Sequence, residues 1–97
     1  MNVIMYGMNL CPDCTEAINV LNDHLDINID YREFTKATAH IKEFLKYRDT
    51  NPMFNKVKNA GNIGIPFFVM EDGFLTFDVL ELISYIEKGC KEVKRLD

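Results

Sequence analysis

The chain has few cysteines, no long apolar run and no excess of positive charge, and each shortage removes a class of function. Three cysteines in 97 residues are an odd number, which does not suit the paired framework of a small secreted disulfide scaffold. A reducing, cytoplasmic compartment is the expectation. No stretch approaches the roughly 18 apolar residues that span a bilayer, and Met1 to Gly7 lacks the basic segment and apolar core of a targeting peptide. Membrane contact is therefore not expected. Lys and Arg number 11 against 15 Asp and Glu, a net charge of −4, and the 4 Tyr and 7 Phe are not interleaved with a basic run. Phosphate backbones are bound through clustered Lys and Arg, so nucleic acid is not the expected partner either. The short basic clusters, Lys56 with Lys58 and Lys88, Lys91, Lys94 with Arg95, read as solvated surface.

What is present suffices for one folded domain. Apolar residues are 47% and charged residues 27%, with no repeat or low-complexity stretch, close to an average soluble chain. A domain of this size buries roughly 60 to 70% of its unfolded surface, and its net stability is on the order of 5 to 15 kcal/mol without staples. The cysteines are not needed for folding. The domain is placed at residues 1–89, with 90–97 as a polar tail.

Asn2 to Tyr6 is short, apolar and punctuated by Gly7, which predicts a buried strand. Pro12 suits a first helical position, and Cys14, Ala17, Ile18, Leu21 and Leu25 recur at helical spacing, so the first helix is expected to run through His24. Ile27, Ile29 and Tyr31 alternate with Asn28, Asp30 and Arg32, a second strand reaching about Phe34. Strand, helix, strand within about thirty residues is a βαβ unit with two parallel strands. Thr35 is placed to cap the next helix, with Ala37, Ile41, Phe44, Leu45 and the stem of Arg48 as its buried stripe and a stop near Asp49. Asn51-Pro52 starts a short extra helix to Lys58, and Gly61 and Gly64 frame a loop. Pro66 to Met70 reads as a central strand, Glu71-Asp72-Gly73 as a hairpin turn and Phe74 to Thr76 as its antiparallel return. Asp78 with Glu81 has capping-box spacing, Phe77 and Leu82 occupy staple positions, and Leu80, Ile83 and Ile86 form the stripe of a last helix ended by Gly89. The fold class is α/β: β-α-β-α-(α)-β-β-α, a four-stranded mixed sheet flanked by helices.

The chemistry lies in Cys11-Pro12-Asp13-Cys14, where a strand ends and a helix begins inside a βαβ pattern. In that setting a C-x-x-C pair reads as a redox couple. Positions three apart on a helix share a face with Cβ atoms about 5 to 6 Å apart, compatible with a disulfide. Free N–H groups and the positive end of the helix dipole favour the anionic sulfur at Cys11, and Cys14 lies a turn further in. Cys11 is expected to attack a disulfide, and Cys14 to resolve the mixed disulfide. No metal site is expected. His24, His40 and Cys90 are the remaining ligand types, and none has paired ligand spacing. Cys90 reads as a spectator.

These residues make the chain resemble a glutaredoxin of the thioredoxin superfamily, closest to bacterial glutaredoxin-related proteins with Cys-Pro-Asp-Cys. The resemblance is carried by Tyr6 to Cys14, by Gly64-Ile65-Pro66-Phe67-Phe68-Val69, by Phe44 to Gly61 and by Asp78 opening the last helix. It implies a thioredoxin-like fold, a cis Ile65-Pro66 bond facing the cysteines, and Ile65 and Asp78 as residues that help hold glutathione. Pro12, Asp13, Ile65, Pro66 and Asp78 are accordingly the candidate substrate-binding residues beside the catalytic Cys11 and Cys14. The implied activity is a monomeric oxidoreductase with a redox-active disulfide, serving electron transport and cell redox homeostasis. It would reduce protein disulfides or glutathione mixed disulfides, with glutathione as a co-substrate, no tightly bound cofactor and a reductase as electron donor. The alternative is a non-catalytic redox-sensing or iron–sulfur-binding module. The chain departs from the family pattern at Met8, where a basic residue is common, at Asp13, where tyrosine is common, and at Leu75-Thr76-Phe77, where a Gly-Gly pair is usual. Arg48, Lys56 and Lys58 are the candidates for supplying the missing positive charge.

Overall fold

A computed structural model describes residues 1–24 and 26–96, with side chains described as far as residue 89. Strand β1 (Asn2–Gly7), helix α1 (Pro12–Leu21) and strand β2 (Asn28–Glu33) form the expected βαβ unit, and β1 pairs parallel with β2 with Val3 opposite Ile29. Helix α2 (Thr38–Thr50) follows, then a 3-10 turn (Pro52–Phe54) and a short helix α3 (Asn55–Asn59). Strands β3 (Phe67–Met70) and β4 (Leu75–Thr76) form a hairpin, and helix α4 (Val79–Leu96) closes the order. The sheet runs β2-β1-β3-β4, with β1 antiparallel to β3.

Strand alternation assigns the two faces. Val3, Met5, Phe68 and Met70 pack with Cys14, Ala17 and Leu21 of α1 and Leu82, Ile83 and Ile86 of α4. Tyr6 and Phe67 point the other way, into a second cluster with Phe34, Phe44 and Phe54. The result is an α/β three-layer arrangement with helices on both sides of a mixed sheet.

Several local expectations are corrected. Helix α1 ends at Leu21 rather than His24: the N–H groups of Asp23 and His24 donate to the carbonyls of Val20 and Leu21, which tightens the chain into turns. Leu25 lies outside the described residues. Strand β2 is one residue shorter than expected at each end, although Ile27 and Phe34 are buried beside it. Thr35 does not cap α2. Its backbone N–H and hydroxyl both donate to the Glu33 carboxylate, and the helix starts at Thr38 with Ala37 as an uncapped boundary. The α2 stripe is also rotated: Ile41 and Leu45 are exposed, whereas Phe44 is buried and Tyr47 packs beside it.

At the start of α4, Asp78 caps by accepting the Leu80 N–H at 2.9 Å, and its own N–H donates to Thr76 Oγ1 at 3.1 Å rather than to Glu81. The staple does not form, because Phe77 joins the aromatic cluster and Leu82 the opposite one. Leu80 leaves the stripe and is 66% exposed, its place being taken by Leu82. Gly89 does not end α4, whose backbone continues through the expected tail to Leu96; a helical glycine costs about 1 kcal/mol and need not stop a helix. The Cys90 side chain lies outside the described residues. Among the described residues, no helix is long and apolar enough to cross a membrane.

Candidate active site

Cys11 is the N-cap of α1, with extended backbone dihedrals (φ −88°, ψ 117°) and Pro12 as the first helical residue. Its carbonyl accepts the N–H groups of Cys14 and Thr15, each at 3.1 Å, while its own N–H donates to the Met8 carbonyl at 3.0 Å. The turn Met8 to Cys11 thus presents the first cysteine at the surface, where it is partly exposed. Cys14, one turn on, is fully buried. Both are free thiols.

The two sulfurs have different surroundings. Burial pushes the Cys14 thiol up to about 12; the Met8 backbone hydrogen bond pulls the other way, and the neighbouring Cys11 and Asp13 raise it further. Cys14 is therefore a neutral thiol at physiological pH. Gly7 makes room for it. A Cβ built at Gly7 would stand 2.9 Å from Cys14 Sγ and 3.4 Å from a Tyr31 ring carbon, closer than a side chain can come without displacing the thiol.

A groove of about 1000 Å³ opens over Cys11. Asp13, Ile65, Pro66 and Asp78 all line it, so four of the five candidate binding residues share one groove with Cys11 although they come from distant parts of the chain. The Ile65-Pro66 bond is cis, and it lies immediately before the ladder of β3. Pro12 is the exception. It does not line the groove; as the first residue of α1 its carbonyl accepts the Thr15 hydroxyl at 2.9 Å, so its place is in starting the helix.

The candidates for added positive charge are not at the groove. Arg48 donates from Nε to the Ile63 carbonyl at 2.9 Å and from a terminal nitrogen to the Asn62 carbonyl at 2.8 Å, which anchors the loop before Pro66. Lys56 and Lys58 are exposed on α3 and do not line the groove. Gly64 in the same loop has φ +99°, and a Cβ there would meet the Phe54 ring at 3.0 Å, so glycine is required on both counts.

One further residue carries the Cys11 turn from beneath. Glu33, at the end of β2, is 1% exposed. Its carboxylate accepts the Asn9 N–H at 2.9 Å and the Thr35 N–H at 2.8 Å, together with the Thr35 hydroxyl. These bonds hold it below the usual carboxylate range, the Thr35 hydroxyl contributing most. Tyr31 adds a bond from its hydroxyl to Asn9 Oδ1 at 3.1 Å. Asn9 is thus gripped from two positions of β2, two residues before the exposed cysteine. The signal existed in the alternation, since Glu33 continues the apolar series Ile27, Ile29, Tyr31 and puts a carboxylate on its buried parity.

No metal centre is assembled: among the described residues, no group of three or more His, Cys, Asp and Glu could hold an ion. His40 instead uses Nδ1 in a 2.8 Å bond with the Glu33 carbonyl.

Compared with known proteins, the chain is similar to an uncharacterized protein of Haemophilus influenzae, 28% identical over 79 residues that cover 81% of this chain and 91% of that one. No protein-family model matches the chain. No solved structure matches it either.

Proposed function

We propose that the protein is a glutaredoxin-like thiol–disulfide oxidoreductase on a thioredoxin-type fold, acting in the cytoplasm as a monomer. The observation that carries this reading is the pairing of a partly exposed helix-capping Cys11 with a buried Cys14 one turn on, under a groove that the cis Ile65-Pro66 segment also lines. The strand order β2-β1-β3-β4, with β1 and β2 parallel, supports the fold assignment.

The chemistry follows from the asymmetry of the two sulfurs. Cys11 Sγ, as thiolate, attacks one sulfur of a substrate disulfide; a new S–S bond forms, the old one breaks, and the departing sulfur takes a proton. Cys14 then gives up its proton and attacks Cys11 Sγ, which closes the intramolecular disulfide and releases the second substrate thiol. The substrate gains two electrons and two protons, and the protein is left oxidised until a reductase returns them. Keeping Cys14 neutral until the mixed disulfide has formed prevents the two sulfurs from repelling one another as anions. Ile65, next to the sheet ladder, offers backbone against which an extended substrate can lie in the manner of an added strand. The substrate in this reading is a protein disulfide or a glutathione mixed disulfide.

The test is to trap the intermediate. Cys14→Ser should accumulate a covalent adduct on Cys11 when a protein or glutathione disulfide is added, detected by intact mass and peptide mapping. The natural chain should pass through to its own disulfide, and Cys11→Ser should form no adduct. Absence of any adduct with every disulfide offered would overturn the assignment.

A further inference from the structure

Among the described residues, the groove over Cys11 is lined by negative charge and large apolar side chains and by no cation. Asp13 and Glu16 reach it from α1 and Asp78 from the start of α4, whereas among the described residues no Lys, Arg or His lines it. The two helix N-termini that face it do not reverse the sign. Asp13 stands in the first turn of α1, and Asp78 covers the start of α4 by accepting the Leu80 N–H. Arg48, the cation bound to the lining loop, donates its hydrogen bonds into the carbonyls of Asn62 and Ile63 and does not itself line the groove. Around the carboxylates stand Leu10 at 84%, Leu80 at 66% and Ile63 at 52% exposure, three of the large apolar side chains that the described surface leaves in water.

Glutathione is a poor complement to such a surface. At neutral pH it has two carboxylates and one ammonium, so its net charge is negative, and it brings no large apolar side chain. A polypeptide with basic and apolar residues beside its half-cystine matches both properties. We propose that the groove selects a disulfide-bearing protein segment that places Lys or Arg and a large aliphatic residue next to the attacked sulfur, in preference to glutathione. This substrate class rests on Cys11 being the attacking thiol. Cations of the segment face Asp13, Glu16 and Asp78, while its aliphatic residue covers Leu10, Ile63 and Leu80. Electrostatic complementarity of this kind acts chiefly on association rate and partner choice.

Two synthetic peptides that share one intramolecular disulfide and one leucine, differing only in Lys or Glu flanks, provide the test. Each is offered to the reduced protein beside glutathione disulfide and the small neutral 2-hydroxyethyl disulfide. The rate constant for conversion of protein dithiol to protein disulfide is measured at low salt and at high salt. The Lys peptide should react at least about tenfold faster than its Glu twin and than glutathione disulfide at low salt. The ratio should shrink at high salt as screening shortens the reach of the charges. Glu16→Lys, a change at an exposed position, should narrow the Lys-to-Glu ratio. A Glu peptide or glutathione disulfide that reacts as fast as the Lys peptide, or a ratio insensitive to salt and to Glu16→Lys, overturns the substrate class. If 2-hydroxyethyl disulfide is reduced in that experiment, the oxidoreductase reading survives. If none of the four disulfides is reduced, that reading falls and the substrate class with it.

Discussion

The two faces of the sheet are built from different materials. The face away from the cysteines is aromatic: Tyr6, Phe34, Phe44, Phe54 and Phe67 are buried together, and Phe77 and Tyr47 lean on them. Ring centroids stand 4.9 Å apart for Phe54 with Phe67 and with Phe77, both edge-on, and 5.2 Å apart for Phe34 with Phe44. Such pairs contribute about 0.5 to 1.5 kcal/mol each beyond the area they bury. The cysteine face is aliphatic and small-grained, with Cys14, Ala17, Leu21, Leu82, Ile83 and Ile86, and Phe68 as its one fully buried ring. Gly7 and Ala17 are the small residues around the Cys14 thiol: a Cβ at Gly7 would stand 2.9 Å from its sulfur, and Ala17 is buried in the same cluster. The aromatic cluster and the two cysteines lie on opposite sides of the sheet, so substitutions on the two sides should have separable effects.

The largest break in that comparison is expected at Phe44. Phe44→Ala removes a ring in contact with several others and should cost about 3 to 5 kcal/mol, read as a lowered urea midpoint. The rate at which Cys11 is alkylated in the molecules that remain folded should not change. A smaller loss, about 1 to 3 kcal/mol, is expected for Glu33→Gln, which leaves a neutral group with its own N–H donors facing Asn9 and Thr35. Here the Cys11 alkylation rate should change as well, and Glu33→Asp should restore neither fully, because its shorter side chain does not reach Asn9. An unchanged alkylation rate in Glu33→Gln would make Glu33 a structural residue only.

Alkaline pH sharpens the comparison from both sides. Cys14 is raised from 9.0 to about 12 by burial, and Tyr6 and Tyr31 from 10.0 to about 12, burial again leading. The folded protein therefore holds these protons more tightly than the unfolded chain. The stability they contribute is in place below pH 9 and is lost as pH rises from 9 toward 12. Urea midpoints should fall over that window, and Cys14→Ala should remove the part that begins nearest pH 9. The smallest effect is expected at the misjudged face of α2: Ile41→Gln and Leu45→Gln should each change stability by no more than about 0.5 kcal/mol, because both side chains stand in water.

The strands, the hairpin, the short helix after Asn51 and the cysteine pair were legible in the chain because each rests on a short pattern with one local solution. Alternation of Ile27, Ile29 and Tyr31 marks β2, and Glu71-Asp72-Gly73 can only turn back. The α2 stripe was not legible, because its helix is short of apolar residues and its orientation depends on Phe54 and Phe67, which come from other elements. Phe44 is buried as its place in the stripe predicts, but Ile41 and Leu45 yield to Tyr47 since the opposing surface is made of rings. Leu80 departs from its expected place for the same kind of reason. Its spacing suits the stripe, yet Leu82 is the residue that meets the sheet.

Cys11-Pro12-Asp13-Cys14 after a β-strand is enough by itself to place two thiols one helical turn apart, with the first at the helix start. That geometry is local, set by backbone and proline. Which sulfur is exposed and which is held neutral was decided only by the assembled structure, because burial of Cys14 needs Gly7 of β1, Tyr31 of β2 and the cover of α4. The sign of the groove was decided there too. A net charge of −4 says little about any one surface, but the fold gathers Asp13, Glu16 and Asp78 into the groove that Cys11 lines and commits Arg48 to the carbonyls of Asn62 and Ile63. Charge placement depends on contacts between residues far apart in the chain, which no short pattern encodes.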